Sequence, residues 1–198
     1  MQPENIKVTY NLAIAYQNVN QFGYALGLLN ELIEKYPNEA DFYISRANLS
    51  VLKGDEKSAN ADYNKAVEID QDNYKVYVAR GSFLKHSQTK DFGKDDFNMA
   101  ILLLGNEIEK NSQDATLVIT RAEIMEEVGN VENALKEYEN YLKTWPLSYS
   151  AMGKKALFLG LSGQWQKAIE VYTTLIENFP EHASVLYTRC LTYQHSGE

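Results

Sequence analysis

The hydrophobic pattern of the chain is a small residue followed four positions later by a large one. Four residues make about one helical turn, so both side chains lie on the same helix face. The small residue lets two helix backbones approach closely, and the large one fills the space beyond it. The pattern predicts five closely packed helices, and its members are Ala25 and Leu29, Ala59 and Tyr63, Gly93 and Phe97, Ala134 and Tyr138, and Ala168 and Tyr172.

A second series consists of a basic residue followed directly by a small one. Its members are Arg46-Ala47, Arg80-Gly81, Arg121-Ala122, Lys155-Ala156 and Arg189-Cys190. Successive pairs lie 34 residues apart, except for one step of 41. We interpret the basic side chain as packing its stem between helices and pairing its head with an acidic neighbour. A ligand-binding role for the basic series is the alternative.

Turn residues occur in phase with both series. Glycine tolerates the left-handed conformation that follows a helix, and proline cannot continue one. Glycines follow the predicted first helices at Gly54, Gly129, Gly163 and Gly197, and prolines follow second helices at Pro37, Pro146 and Pro180. The order helix, tight turn, helix, turn therefore repeats along the chain.

Over nearly its whole length this register resembles the tetratricopeptide repeat family, whose period is 34 residues. Leu12 is the only leucine at the site that carries Arg or Lys in the later repeats, where the family often has leucine. The resemblance implies an all-α protein, an α-α superhelix of antiparallel hairpins with about 11 helices, in which first helices line the concave surface. We expect repeats at about residues 6–39, 40–73, 74–107, 115–148 and 149–182, and a partial one at 183–198.

Two irregularities interrupt the pattern. Seven extra residues lie around Ile108 to Asp114, close to two helical turns. We predict that the preceding helix continues to Glu109 or Lys110; a helix ending at Gly105 with a loop beyond it is the alternative. The other irregularity is the final helix, which has no polar outer face. We expect a fragment of a longer array or a chain that pairs with another, with Cys190 as a buried, inert thiol.

Composition excludes several classes of function. The net charge is −8, from 19 basic and 27 acidic residues, which argues against binding to nucleic acid or to anionic membranes. One cysteine allows no internal disulfide and no zinc site of several cysteines. No signal peptide is visible, and no apolar run is long enough to span a bilayer. Localisation stays unknown: the cytoplasm is favoured, with an exported form as the alternative if a signal has been removed.

The sequence has no catalytic signature. It contains no phosphate-binding glycine loop, no G-x-S-x-G and no H-E-x-x-H, and its three histidines lie far apart. We interpret Asp70, Asp72 and Asn73 as a turn and helix cap, and Asp91, Asp95 and Asp96 as a solvated helix start. We therefore expect no enzyme activity, no metal and no cofactor.

The resemblance places ligands along the concave face. The candidate residues there are Tyr10, Ile14, Ile44, Asn48, Val78, Ser82, Ile119, Glu123, Leu157 and Tyr187. The apolar members have an alternative role, since they could pack between adjacent first helices instead of forming a groove floor. A clamp for acidic chaperone tails is not expected. The positions that such a clamp requires hold Tyr10, Ile14, Ser45, Lys75 and Ala79, and only Lys75 is a residue of the required type.

These features predict a scaffold or adaptor that binds another protein or a peptide through the concave face. We expect neither nucleic-acid binding nor direct membrane insertion, and a homo-oligomer is left open. The alternative function is an accessory interaction domain of a larger enzyme or sensor.

Overall fold

The computed structural model describes residues 3–87 and 93–196, and these residues form eleven α-helices and no strand. This confirms the all-α prediction and the predicted number of helices. The helices are α1 (Pro3–Asn18), α2 (Phe22–Lys35), α3 (Ala40–Leu52), α4 (Glu56–Ile69), α5 (Tyr74–Ser87), α6 (Lys94–Lys110), α7 (Ala115–Glu127), α8 (Val131–Thr144), α9 (Tyr149–Leu161), α10 (Trp165–Asn178) and α11 (Ala183–Ser196).

Contacts divide the chain into an N-terminal unit, residues 1–100, and a C-terminal unit, residues 101–198. In the N-terminal unit α1 packs on α2 and α3 on α4, and α2 and α4 pack on the first helix of the next repeat. In the C-terminal unit α7 packs on α8 and α9 on α10, and α10 packs in turn on α11. Both units are therefore built from stacked helical hairpins.

The small-and-large pattern forms the seam inside each hairpin. Ala25, Ala59, Ala134 and Ala168 are fully buried, as predicted, and the large residues that follow them are buried too. Gly93 is the exception, because it precedes α6 instead of lying in it and has a φ of +93°. A Cβ at Gly93 would overlap the carbonyl oxygen of Gly81, so two glycine backbones meet here directly.

Residues in the left-handed backbone conformation follow the first helices, as predicted. Gly54, Gly129 and Gly163 have φ values of 76°, 79° and 77°. In the first repeat Asn20 takes this role with a φ of 59°, because asparagine tolerates this region better than other non-glycine residues. Gly197 lies outside the described residues.

Short polar side chains cap several of the helices. Asp55 accepts a hydrogen bond from the Ser58 backbone N–H at 3.1 Å, and Asp114 accepts one from Thr116 at 2.8 Å. The prediction of a cap before α5 is confirmed, because Asn73 Oδ1 accepts a hydrogen bond from the Lys75 backbone N–H at 3.0 Å. These bonds satisfy N–H groups that have no partner within the helix.

Helix α6 continues to Lys110, which confirms the predicted extension and rules out a loop after Gly105. It has 17 residues, against 14 in α4. A Cβ at Gly105 would lie 3.0 Å from Arg121 Nη1. The glycine lowers helix propensity but makes room for the guanidinium of the next repeat.

Two expectations about single residues are wrong. Cys190 is exposed, because no helix following α11 covers it within the described chain. Asp96 is buried and not solvated, because it pairs with Arg80 across the hairpin. Asp95 does lie in the first turn of α6, whereas Asp91 lies outside the described residues.

Candidate functional site: two hollows along the first helices

The basic series forms ion pairs that join three consecutive helices. Arg46 donates from Nε to Asp62 at 2.8 Å and from Nη2 to the same carboxylate at 2.7 Å, while its Nη1 donates to Asn30 at 2.8 Å. Arg80 repeats the arrangement with Asp96 and Asn64. Hydrogen bonds to the carboxylates raise the pKa of both arginines. The structural interpretation of the basic series is confirmed for these residues.

The series is less uniform in the C-terminal unit. Arg121 donates to Glu137 from both Nε, at 2.9 Å, and Nη2, whereas Lys155 Nζ lies 3.5 Å from Glu139. Glu139 belongs to the preceding repeat, so Lys155 pairs backwards only. Arg46, Arg80, Arg121 and Lys155 are thus paired within the fold, which supports the structural interpretation of these four residues.

The N-terminal unit holds a hollow of about 590 Å³ on α3 and α5. Asn48 and Ser82 line it together with Tyr63 from α4. The Tyr63 hydroxyl donates to Asn48 Oδ1 at 2.5 Å, and burial raises the pKa of Tyr63 to about 12. Tyr63 and the Asn48 side-chain carbonyl oxygen are therefore engaged with each other, whereas the Ser87 hydroxyl, which also lines the hollow, has no hydrogen-bond partner among the described residues.

The remaining candidates of this unit are tied into the packing. The Tyr10 hydroxyl and Ser45 Oγ share a hydrogen bond of 2.7 Å. Ile44 packs on two buried clusters of the α3, α4 and α5 helices, and Ile14 and Val78 are half-buried. None of Tyr10, Ile14, Ile44 and Val78 lines either of the two hollows.

The C-terminal unit holds a pocket of about 570 Å³ between the first helices α7, α9 and α11. Tyr172 and Leu175 of α10 form part of its lining. The other lining residues are Ala115, Thr116, Ile119, Tyr149, Ser150, Gly153, Lys154, Leu157, Ser184, Val185 and Thr188. Most of this lining is aliphatic or aromatic, and Leu157 is 45% exposed in it.

A glycine opens this pocket. Gly153 lies at the repeat position that holds Ile44, Val78 and Ile119 in the preceding repeats. A Cβ added at Gly153 would meet no heavy atom within 4 Å. The space that a branched side chain fills in three other repeats is therefore left open in this one.

Charged groups lie at the edge of the pocket. Lys154, which lines it, pairs with Glu123 of α7. Burial, and then the charges of Glu127 and Glu123, raise the pKa of Glu126, against an opposing effect of Lys154. Burial, and then the charges of Glu123 and Glu126, raise the pKa of Tyr138. Glu123, Glu126 and Glu127 thus form an acidic patch beside the apolar pocket, and their charges act on one another.

The structure brings together only some of the predicted site residues. Ile119 and Leu157 share the pocket with Glu123 beside its edge, and Asn48 and Ser82 share the other hollow. Tyr187 is 68% exposed on α11 and lines neither. Sequence reasoning missed Tyr149, Gly153 and Val185. The signal for Gly153 was available, since it replaces an aliphatic residue at an aligned repeat position.

Among residues 3–87 and 93–196, no group of three or more His, Cys, Asp or Glu side chains is arranged to hold a metal ion. None of the helices within those ranges has the length and hydropathy needed to cross a bilayer.

A model of the tetratricopeptide repeat matches residues 10–74 and 121–183. The chain is 27% identical over 137 residues to a TPR repeat-containing protein of Dictyostelium discoideum, covering 68% of this chain and 52% of that protein. It therefore spans about half the length of this relative.

Solved structures share the fold at low sequence identity. TTC0263, a thermophilic TPR protein of Thermus thermophilus, matches with a TM-score of 0.59 and 14% identity, over 96% of this chain and 99% of that one. YrrB, a TPR protein with an unusual peptide-binding site, matches with a TM-score of 0.52 and 20% identity, over 91% and 90%. From its repeats, its hairpins and the extent of the family match, the chain belongs to the tetratricopeptide repeat family.

Proposed function

We propose that this protein is a scaffold that binds a peptide segment of another protein in the C-terminal pocket. The observation that carries the proposal is the apolar pocket that opens at Gly153 between α7, α9 and α11. The fold supports a protein-interaction scaffold in general. Apolar pockets with a few polar groups at the edge are typical of ligand sites, and helical grooves commonly take peptides.

The pocket indicates the kind of peptide that fits. Its space at Gly153 accepts a bulky aliphatic or aromatic side chain, which would contact Ile119, Leu157 and Tyr172. Lys154 and Glu123 neutralise each other at the edge, so the ligand needs no high charge of either sign. The proposed ligand is a peptide with one large apolar anchor residue.

Filling the pocket tests the proposal. The full chain is used to select binders from a random-peptide library on phage, and the selected peptides are titrated against the Gly153→Val variant. A Cβ at Gly153 meets no heavy atom within 4 Å, so we expect this variant to keep its fold and its affinity for the selected peptides to fall at least about tenfold. Gly27→Val is the matched control, because Gly27 also lies in a helix and a Cβ added there would meet no heavy atom within 4 Å.

The proposal fails if no selected peptide distinguishes Gly153→Val from the wild type while both variants remain folded by circular dichroism. It fails also if Ile119→Glu, which introduces a charge in the lining, leaves binding of these peptides unchanged.

A clamp for acidic chaperone tails does not form part of this proposal. Of the five clamp positions only Lys75 carries the required residue, and the Ser45 hydroxyl is bonded to Tyr10. Titration with an acidic C-terminal tail peptide is therefore expected to give no saturable binding.

The accessory-domain hypothesis is the second candidate. It is favoured by the alignment, in which the chain corresponds to only 52% of its Dictyostelium relative. The complete reading frame of the gene decides between the two, because a catalytic or sensor segment in it would support the accessory role.

A further inference from the structure

The Gly153 pocket is larger than one side chain requires. Its volume of about 570 Å³ lies in the range of about 300–1,000 Å³ that holds a whole drug-sized ligand. Its lining continues along α9 as a row of exposed leucines. Leu157 lines the pocket and is 45% exposed, and Leu161, one helical turn further along the same face, is 69% exposed. A ligand anchored at Gly153 therefore has a second apolar contact within reach.

The exposure of these leucines does not come from a missing neighbour of α9. The described chain contains the first helix on each side of α9, namely α7 and α11, and the pocket lies between the three helices. Phe158 and Leu159, which point away from this surface, are only 5% and 3% exposed. The packing of α9 against its neighbours thus buries one side of the helix and leaves the two leucines on the other side uncovered.

Acidic residues of α7 border the leucine row. Glu123 and Glu127 lie 34 residues before the two leucines, so they occupy the aligned positions of the preceding repeat. Glu126 lies in the same helical turn as Glu127. The ion pair between Lys154 and Glu123 shows that α7 and α9 meet along this side. An apolar row on one helix therefore runs beside an acidic row on the next.

The charge of this border is not balanced within the lining. Among the described residues Lys154 is the one basic side chain that lines the pocket, and it pairs with Glu123. Burial, and then the charges of Glu127 and Glu123, raise the pKa of Glu126, and the opposing effect of Lys154 is the smallest of these. A ligand cation beside Glu126 is therefore favourable, whereas a ligand carboxylate would be repelled.

We propose that the ligand of the Gly153 pocket is a peptide with two apolar residues and a basic residue beside them. The first apolar residue fills the space at Gly153, and the second covers Leu161. The basic residue lies against Glu126 and Glu127, and a single one suffices because Lys154 already neutralises Glu123. This inference rests on the proposed function and adds the charge and the second contact of the ligand. The apolar row supplies the contact area, and the charges set the side on which the peptide lies.

The probe is a library of short peptides on phage, each with a central leucine and with Lys, Glu, Gln, Ala or Leu in equal proportion at the other positions. The full chain selects from this library. The measured quantity is the ratio of Lys to Glu at each position after selection, relative to the unselected library. We expect Lys to be enriched, and Glu depleted, at one fixed distance from the central leucine.

Charge exchange tests the acidic border. In a selected peptide, replacement of the enriched Lys by Glu should weaken binding about tenfold or more. The double variant Glu126→Gln, Glu127→Gln should reduce this difference to about twofold or less, because the two changes remove the same interaction. Glu177→Gln is the matched control, since Glu177 is exposed on α10 and lies outside the pocket lining. It should leave the difference unchanged.

The second apolar contact is tested separately. Leu161→Ser should weaken binding of the selected peptides about fivefold, because it removes apolar surface that the ligand covers. Leu147→Ser is its control, since Leu147 is 60% exposed in the turn before α9 and does not line the pocket. Circular dichroism shows whether each variant is folded.

Equal enrichment of Lys and Glu, in peptides that Gly153→Val still weakens, would overturn this inference and leave the proposed function intact. An equal loss of affinity in Leu161→Ser and Leu147→Ser would remove the second contact. The protein expressed from the complete reading frame should bind the selected peptides as well as the 198-residue chain does. Much weaker binding would mean that a segment of the same protein covers the leucine row, and it would overturn the assignment to a separate peptide.

Discussion

The N-terminal and C-terminal units use the same hairpin but handle their polar groups differently. In the N-terminal unit Arg46 and Arg80 each form two hydrogen bonds to a carboxylate and a third to an asparagine. The hydroxyls of Tyr10 and Tyr63 form hydrogen bonds within the protein. In the C-terminal unit Arg121 also binds its carboxylate through two nitrogens, but Lys155 lies 3.5 Å from Glu139, and Gly153 leaves an apolar pocket open.

The difference teaches where binding capacity comes from in a repeat protein. Groups that already form hydrogen bonds within the protein contribute little to ligand binding. Binding of a ligand in an unfilled apolar space is favourable, because it removes apolar surface from water. The binding proposed for the C-terminal unit therefore rests on its open apolar space and not on its ion pairs.

The largest expected effect on stability comes from replacing one glycine in each unit, Gly93 and Gly153, by alanine. Gly93→Ala should lower the free energy of unfolding by about 4 kcal/mol, because it combines an unfavourable positive φ with an overlap against Gly81. Gly153→Ala should raise it by about 0.5–1 kcal/mol, since alanine is the better helix former and the space is open. Urea denaturation measures both. Equal effects would contradict the packing difference.

The Arg80–Asp96 ion pair of the N-terminal unit should contribute more to the free energy of unfolding than the Lys155–Glu139 pair of the C-terminal unit. Arg80→Met leaves the buried Asp96 carboxylate without a counter-ion and should cost about 3 kcal/mol. Lys155→Met should cost less than about 0.5 kcal/mol, because Glu139 is exposed and the pair is 3.5 Å long. Chemical denaturation of both variants gives the comparison, and a Lys155→Met cost equal to that of Arg80→Met would refute it.

The seam between paired helices should be equally tight in both units. Ala59→Leu and Ala168→Leu each add three carbons at a position with no exposed surface, so each should cost about 2 kcal/mol. Thermal unfolding followed by circular dichroism measures the loss. If both variants keep the wild-type stability, the repeat boundaries are misplaced.

The smallest expected effect is the pH dependence that Glu126 gives to the C-terminal unit. Burial and acidic neighbours raise the pKa of Glu126 in the folded state, so its charge is unfavourable above that pKa, and this penalty disappears as the pH falls through it. Glu126→Gln should therefore stabilise the protein slightly at pH 7, by less than about 0.5 kcal/mol, and less at pH 4.

Glu132→Gln is the matched control for the pH experiment. A hydrogen bond from Lys136 lowers the pKa of Glu132, so its favourable contribution is present above the unfolded-state pKa and is lost as the pH falls through the folded-state pKa. The substitution should not stabilise the protein at pH 7. If both variants changed the stability at pH 7 in the same direction, the neighbouring acidic charges would not destabilise ionised Glu126 in the folded state.

The candidate site was only partly predictable. Ile119 and Leu157 were found because they occupy outward positions of first helices, whereas Tyr149 and Val185 join them only through the stacking of α7, α9 and α11. Likewise, one sequence could not separate groove from seam for Ile44, because both are apolar surroundings at the same helical position.

The sequence by itself determined the helices, their order and the length of α6, because helical periodicity, turn residues and repeat spacing are local properties. It also indicated that the basic series is structural. Only the tertiary structure decided that Asp96 is buried, that Cys190 is exposed and that the space at Gly153 is open. The burial of a side chain depends on whether a neighbouring helix covers it, and that neighbour is distant in sequence.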